Sequence, residues 1–138
     1  MSGAVVDASV AVKWVVTEPG SDSAAALLDG RPLIAPDLLW AECGNVLWMK
    51  VRRGVLQATE AELAGKVLRG ADVRTVPGRP LMESALSLAL RLEHSVYDCL
   101  YLALAIQQDC PLLTADSRFV ERVEASGIAP GRVHRLGG

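Results

Sequence analysis

Ala4-Val5-Val6-Asp7-Ala8-Ser9 near one end of the chain and Leu112-Leu113-Thr114-Ala115-Asp116 near the other decide the fold. Each is a short apolar run without a charge, closed by an aspartate. A run that does not alternate apolar with polar suits a strand buried on both faces, the mark of a parallel sheet. Working outward, Leu33-Ile34-Ala35 reads as a second strand, Asp72 to Val76 as a third, Pro111 to Thr114 as the fourth, and Val133 to Leu136 as a fifth at an edge. Helical patterns separate them. They cover about Val10 to Val16, Ser21 to Leu28, Leu38 to Arg53, a segment opened by Thr59, Leu81 to Leu92, Val96 to Gln108, and Asp116 to Ser126. Gly20, Gly30, Gly54, Pro77-Gly78 and Gly127 punctuate the pattern. Two capping boxes fit by spacing, Thr59 with Glu62 and Ser95 with Asp98. Strands alternating with helices imply an α/β domain with a short parallel sheet of four to five strands.

The 138 residues suit one domain, 1–138. Hydrophobic residues make up 51% and charged residues 22%, which excludes intrinsic disorder. The net charge of −2 leaves no global basic field for charge-driven binding to bulk nucleic acid. Cys43, Cys99 and Cys110 are odd in number and form no CxxC pair, so neither a disulfide framework nor a zinc cluster is expected. They read as small core residues. No signal peptide opens the chain, and its longest uncharged run, Cys99 to Gln108, is too short to span a bilayer. A cytoplasmic location with no membrane association follows as an expectation.

Four carboxylates sit where carboxylates are costly or oddly placed: Asp7, Glu42, Asp98 and Asp116. Singly, each has a plain structural explanation. Asp7 and Asp116 could cap the helices that follow them, and Asp98 suits the positive end of its helix. Glu42 shares a helical stripe with Leu39, Val46 and Met49. Its plain explanation is a buried pair with Lys50 or Arg53, or a slot facing solvent. Jointly they read differently. Ligands of an open parallel sheet bind outside the carboxyl ends of the strands, at the point where strand order reverses. Asp7 and Asp116 directly follow strands, Glu42 lies early in the helix after strand two, and Asp98 opens the helix that returns to strand four. All four are expected at one rim. Carboxylates crowded together shift toward protonation or bind cations, and oxygen-only ligands suit Mg²⁺ or Mn²⁺, one ion or two. Such a site suits phosphodiester hydrolysis.

At these residues the chain resembles a known family. Val5-Val6-Asp7-Ala8-Ser9, Glu42, Tyr97-Asp98-Cys99-Leu100-Tyr101-Leu102-Ala103-Leu104-Ala105 and Leu113-Thr114-Ala115-Asp116-Ser117-Arg118-Phe119 resemble the PIN-domain ribonucleases, in the branch of the VapC-type toxins of toxin–antitoxin pairs. The resemblance implies a three-layer α/β/α sandwich and Mg²⁺- or Mn²⁺-dependent cleavage of RNA. It implies Asp7, Glu42, Asp98 and Asp116 as the catalytic and metal-holding quartet, with Ser9 and Thr114 as hydroxyl positions beside it. It also implies a homodimer and a cognate antitoxin protein as partner.

Arg118, two residues past Asp116, joins Ser9 and Thr114 as an expected substrate-binding residue. Lys50, Arg52 and Arg53 suit the negative end of their helix. Trp14, Trp40 and Trp48 read as packing residues, and His94 and His134 have no partner spacing that would make a general base. No glycine-rich phosphate loop occurs. Two rival readings stand beside the nuclease. One is a metal-dependent phosphatase-like enzyme with Asp7 as nucleophile, although Ser9 stands where such enzymes carry a second aspartate. The other is a non-catalytic partner-binding module in which the acids are only caps.

Overall fold

The structure, a computed structural model, describes residues 3–137. The chain runs β1 (Ala4–Val6), α1 (Ala8–Ala11), a 3₁₀ turn (Val12–Trp14), α2 (Ser21–Ala25), β2 (Leu33–Pro36), α3 (Leu38–Arg52) and α4 (Ala58–Leu68). It continues through β3 (Arg74–Val76), a 3₁₀ turn (Arg79–Leu81), α5 (Met82–Leu92), α6 (Val96–Gln108), β4 (Leu112–Thr114), α7 (Ser117–Ser126) and β5 (Val133–Arg135). The five strands form one sheet in the order β3-β2-β1-β4-β5, and every pairing is parallel. The expected α/β/α architecture is therefore the observed one.

The unbroken apolar runs do what their composition implies. Val5 and Val6 are both fully buried, on opposite faces of the sheet. Val5 joins a large cluster with Leu39, Leu102, Leu104, Phe119 and Val123 of the flanking helices. Ala4 and Val6 join a smaller cluster with Val10, Ala24 and Leu27. Each such valine contributes about 1.5–3 kcal/mol through burial. Helix α6 is buried through its middle, at Cys99 and from Tyr101 through Ala105, while Tyr97 and Ile106 toward its ends are exposed. It packs against α5 and against β1, β2 and β4.

Several boundaries differ from the sequence reading, for local reasons. Helix α1 starts at Ala8, directly after its cap Asp7 and ahead of the expected Val10, and α7 starts at Ser117 because Asp116 is a cap rather than a helical residue. Helix α1 gives way to a 3₁₀ turn after one turn, and α2 stops at Ala25. The capping box of α4 is built by Gln57 and Glu60, not Thr59 and Glu62: the Glu60 carboxylate accepts from the Gln57 N–H at 2.8 Å. Ser95 caps α6 by position only, because its side chain makes no cap hydrogen bond and Asp98 is engaged by His94. Cys43 and Cys99 are buried as expected, whereas Cys110 is partly exposed.

Candidate active-site crevice

Strand order reverses between β1 and β4, which pair directly through Val5 with Leu112 and Val6 with Leu113. At their carboxyl ends lies an open crevice of about 570 Å³. Asp7, Ser9, Glu42, Asp98 and Asp116 all line it, together with Lys13, Glu18, Asn45 and Tyr97. The four acids arrive on four separate segments: the β1–α1 junction, α3, α6 and the β4–α7 junction.

Asp7 is the most deeply set. It is 9% exposed and stands at the N-cap of α1, where its Oδ1 accepts the Val10 N–H at 3.2 Å. The Ser9 hydroxyl donates to Oδ1 at 2.6 Å and the Thr114 hydroxyl to Oδ2 at 2.5 Å. Both hydroxyls work twice. Ser9 Oγ accepts the Ala115 N–H at 2.9 Å, and Thr114 Oγ1 accepts the Asp116 N–H at 3.1 Å. A hydroxyl both donates and accepts, so Ser and Thr can join a carboxylate on one strand end to backbone N–H groups on the other. These two residues thereby lock β1 to β4 at the switch point. Despite three hydrogen bonds, burial pushes the Asp7 carboxyl up to about 6, and the charge of Asp98 adds to the rise.

Glu42, half-buried on α3, accepts the Tyr101 hydroxyl of α6 at 2.6 Å. Its carboxyl is raised above the ordinary range, first by desolvation and then by the charge of Asp98, against the lowering effect of Tyr101. The pairing with Lys50 or Arg53 that was one plain explanation of Glu42 is not found. Lys50 instead reaches Glu18 at 2.6 Å, and Lys13 reaches the same carboxylate at 3.2 Å. Asp116 caps α7, its Oδ1 accepting the Phe119 N–H at 3.2 Å. Asp98 Oδ2, in the first turn of α6, meets His94 Nε2 in the turn before that helix at 2.6 Å. The reading that His94 has no partner spacing is corrected.

Two expected substrate contacts do not stand where the sequence reading put them. Thr114 is fully buried and serves Asp7 and Asp116 from beneath, so it offers nothing to a substrate. Arg118 is exposed on α7 and is not among the residues lining the crevice. The cation that does line it is Lys13, held by Glu18 and by the Pro19 carbonyl at 2.8 Å. No sequence pattern marked Lys13, and Tyr101, quoted in the resembling stretch, had no role assigned because it lies 59 positions from the carboxylate it contacts.

Among the described residues, no three His, Cys, Asp or Glu side chains already stand together so as to hold one ion. Each acid has a partner of its own: Tyr101 for Glu42, His94 for Asp98, and two hydroxyls for Asp7. The donor set nonetheless fits a hard divalent cation. It is built from oxygens, and burial with mutual repulsion raises Asp7 and Glu42. The nearby lysines are spent on Glu18.

The fold, the switch-point crevice and its acids define a class, and comparison with known proteins agrees. The family model described as PIN domain matches residues 4–124, and the chain belongs to the PIN domain family. Within it, the chain groups with the VapC ribonucleases. It is 32% identical over 126 residues to Ribonuclease VapC3 of Pyrobaculum aerophilum, covering 88% of this chain and 95% of that one. It is 36% identical over 125 residues to Ribonuclease VapC1 of Mycobacterium tuberculosis, covering 86% and 89%. Two solved structures share the fold. PAE2754 from Pyrobaculum aerophilum superposes with a TM-score of 0.69 at 20% identity over 98% of this chain and 84% of that one. VapC20 of Mycobacterium tuberculosis, described as a sarcin-ricin loop cleaving toxin, superposes with a TM-score of 0.65 at 18% identity over 94% and 98%.

Proposed function

We propose that this chain is a single-domain endoribonuclease of the VapC type, the toxin of a toxin–antitoxin pair, and that it depends on Mg²⁺ or Mn²⁺. The observation that carries the reading is the gathering of Asp7, Glu42, Asp98 and Asp116 from four segments onto one crevice at the β1/β4 switch point. Relatives named as ribonucleases, matched over most of their length, support RNA as substrate.

Asp7, Asp98 and Asp116 would hold the ion, with Glu42 beside them. When bound, a divalent ion lowers the pKa of an attacking water and offsets charge building on phosphorus. The chain's residues do the rest. Ser9 and Thr114 fix the Asp7 carboxylate so that it does not turn away, and the Tyr101 hydroxyl holds Glu42 by one oxygen. Glu42, whose proton affinity is raised, orients or deprotonates the water. In-line attack leaves 5′-phosphate and 3′-hydroxyl ends.

Other features support the partners. Trp14, Val15, Val16, Leu63 and Val67 line an apolar groove beside α4, suited to an antitoxin segment. Met82, Leu86 and Leu90 form an exposed stripe at four-residue spacing on α5, suited to a second copy. No helix among the described residues is long and apolar enough to cross a membrane. Kinship with the VapC ribonucleases supports a cytoplasmic location. A phosphatase-like reading is less well served: the relatives are named ribonucleases, and Ser9 stands where such enzymes carry a second aspartate.

The test is cleavage of structured RNA by the purified chain with Mg²⁺ or Mn²⁺ and with chelator. Metal-dependent cuts with 5′-phosphate ends are expected. Products ending in 2′,3′-cyclic phosphate would overturn the mechanism, because the RNA's own 2′-hydroxyl would then be the nucleophile. Hydrolysis of small phosphate esters in place of RNA would return the phosphatase.

A further inference from the structure

The turn joining α5 to α6 is held more firmly than a surface turn requires. Glu93 ends α5 in the left-handed region, with φ 53°, a conformation strained for a non-glycine residue. Arg122 of α7 donates to the Glu93 carbonyl at 2.6 Å and reaches the Leu92 carbonyl at 3.5 Å. The next residue, His94, donates its backbone N–H to the Ala89 carbonyl at 3.1 Å. Its ring then packs against Phe119, centroids 4.7 Å apart and planes tilted by 43°. Phe119 is 2% exposed, and its own N–H is the group that Asp116 caps. The imidazole is thus fixed by backbone, stack and neighbouring helix. From that fixed frame Nε2 meets Asp98 Oδ2 at 2.6 Å. A carboxylate only accepts, so Nε2–H is the donor.

We infer that His94 is a positioning residue for Asp98: it pins one carboxylate oxygen and thereby sets the direction in which the other faces the crevice. Asp98 needs such a partner more than its neighbours do. Asp7 is held by two hydroxyls and a backbone N–H, and Asp116 by its cap, whereas the described hydrogen bonds of the Asp98 side chain come down to His94. An outer partner that orients a ligating carboxylate typically changes metal affinity ten- to a hundredfold on removal. The inference rests on the metal-nuclease reading above.

The test uses the full chain and Mn²⁺ alone, with affinity read by calorimetry, melting temperature measured in chelator, and RNA cleavage measured in parallel. His94→Phe keeps a ring against Phe119 but removes the donor; His94→Gln restores an N–H donor without the ring. We expect His94→Phe to weaken Mn²⁺ binding at least tenfold with little change in the metal-free melting temperature. His94→Gln should recover most of the affinity. If wild type binds Mn²⁺ and cleaves RNA while His94→Phe binds equally well, the positioning role is overturned and the nuclease reading stands. Equal loss in both variants would also overturn it, since the donor would then not be the operative group. A wild-type chain that neither binds Mn²⁺ nor cleaves RNA would overturn the nuclease reading, and this inference with it.

Discussion

Replacing Asp7 by asparagine tests whether a buried charge is held in place against its own preference. In the metal-free protein the Asp7 carboxyl is raised from 3.8 to about 6, chiefly by burial. At ~1.4 kcal/mol per pKa unit, that gap corresponds to about 3 kcal/mol of stability lost once the group is ionised. The direction follows from proton linkage. Below about pH 4 the folded and unfolded chains both carry the proton, and the group contributes nothing. Between about 4 and 6 the folded chain keeps the proton and the unfolded chain releases it, so stability falls as pH rises. Above about 6 the full cost is present. Asparagine carries no charge at any of these pH values, but exchanging one acceptor oxygen for an amide among Ser9, Thr114 and Val10 costs about 1 kcal/mol. In chelator, Asp7→Asn should therefore be about 2 kcal/mol more stable than wild type at pH 7.5 and slightly less stable at pH 4. Urea unfolding across that pH range reads the crossover. Saturating Mn²⁺ at about a hundredfold its dissociation constant should add ~2.7 kcal/mol to wild type, little to the variant, and so close or reverse the gap. RNA cleavage should be lost. A variant equally destabilised at pH 4 and pH 7.5 would refute the reasoning, because the Asp7 charge would then cost the fold nothing.

Thr114→Val keeps the shape of a fully buried side chain but strips the donor from Asp7 and the acceptor from the Asp116 N–H. It should cost about 2–4 kcal/mol in urea unfolding, more than a neutral surface hydrogen bond could explain. Glu42→Gln should lower the cleavage rate at least a hundredfold, on the scale of a lost general base, while leaving the melting temperature unchanged or raised. The raised proton affinity of the Glu42 carboxyl gives the sign. Mn²⁺ affinity, followed by calorimetry, should fall about tenfold per pH unit below pH 6, where binding must displace the Asp7 proton; a flat profile from 7 to 5 would separate Asp7 from the metal.

The parts of this molecule legible in its sequence are those that one segment determines. Val5 and Val6 specify a strand buried on both faces because neither face carries a polar residue, and Asp7 and Asp116 announce the ends of β1 and β4 because each caps the helix that follows. The meeting of the four acids was legible too, since the parallel topology sends every strand's carboxyl end to one edge. What could not be read was which way each side chain turns once there. Glu42 was set against Lys50 and Arg53, its neighbours along α3, whereas its partner is a tyrosine on another helix. Thr114 was expected at the substrate because the family resemblance implied a hydroxyl there, yet the pleat of β4 sends it inward to Asp7. Arg118 looked close to the crevice because it is close in sequence, but as the second residue of α7 it is exposed and does not line the crevice.

The plain structural readings of the acids as caps proved correct for Asp7 and Asp116, and this does not weigh against a functional role. A cap uses one oxygen of a carboxylate on a short, stiff side chain and fixes it at a helix start. In both residues the cap is made by Oδ1. The cap therefore does for Asp7 and Asp116 what Tyr101 does for Glu42 and His94 for Asp98: it holds the side chain against rotation while electrostatic repulsion pushes the group away from its neighbours. Four acids restrained by helix caps, a tyrosine and a histidine, two of them raised toward protonation, form an arrangement whose cost is met only when positive charge enters the crevice. A set of mere caps would have no reason to face one another.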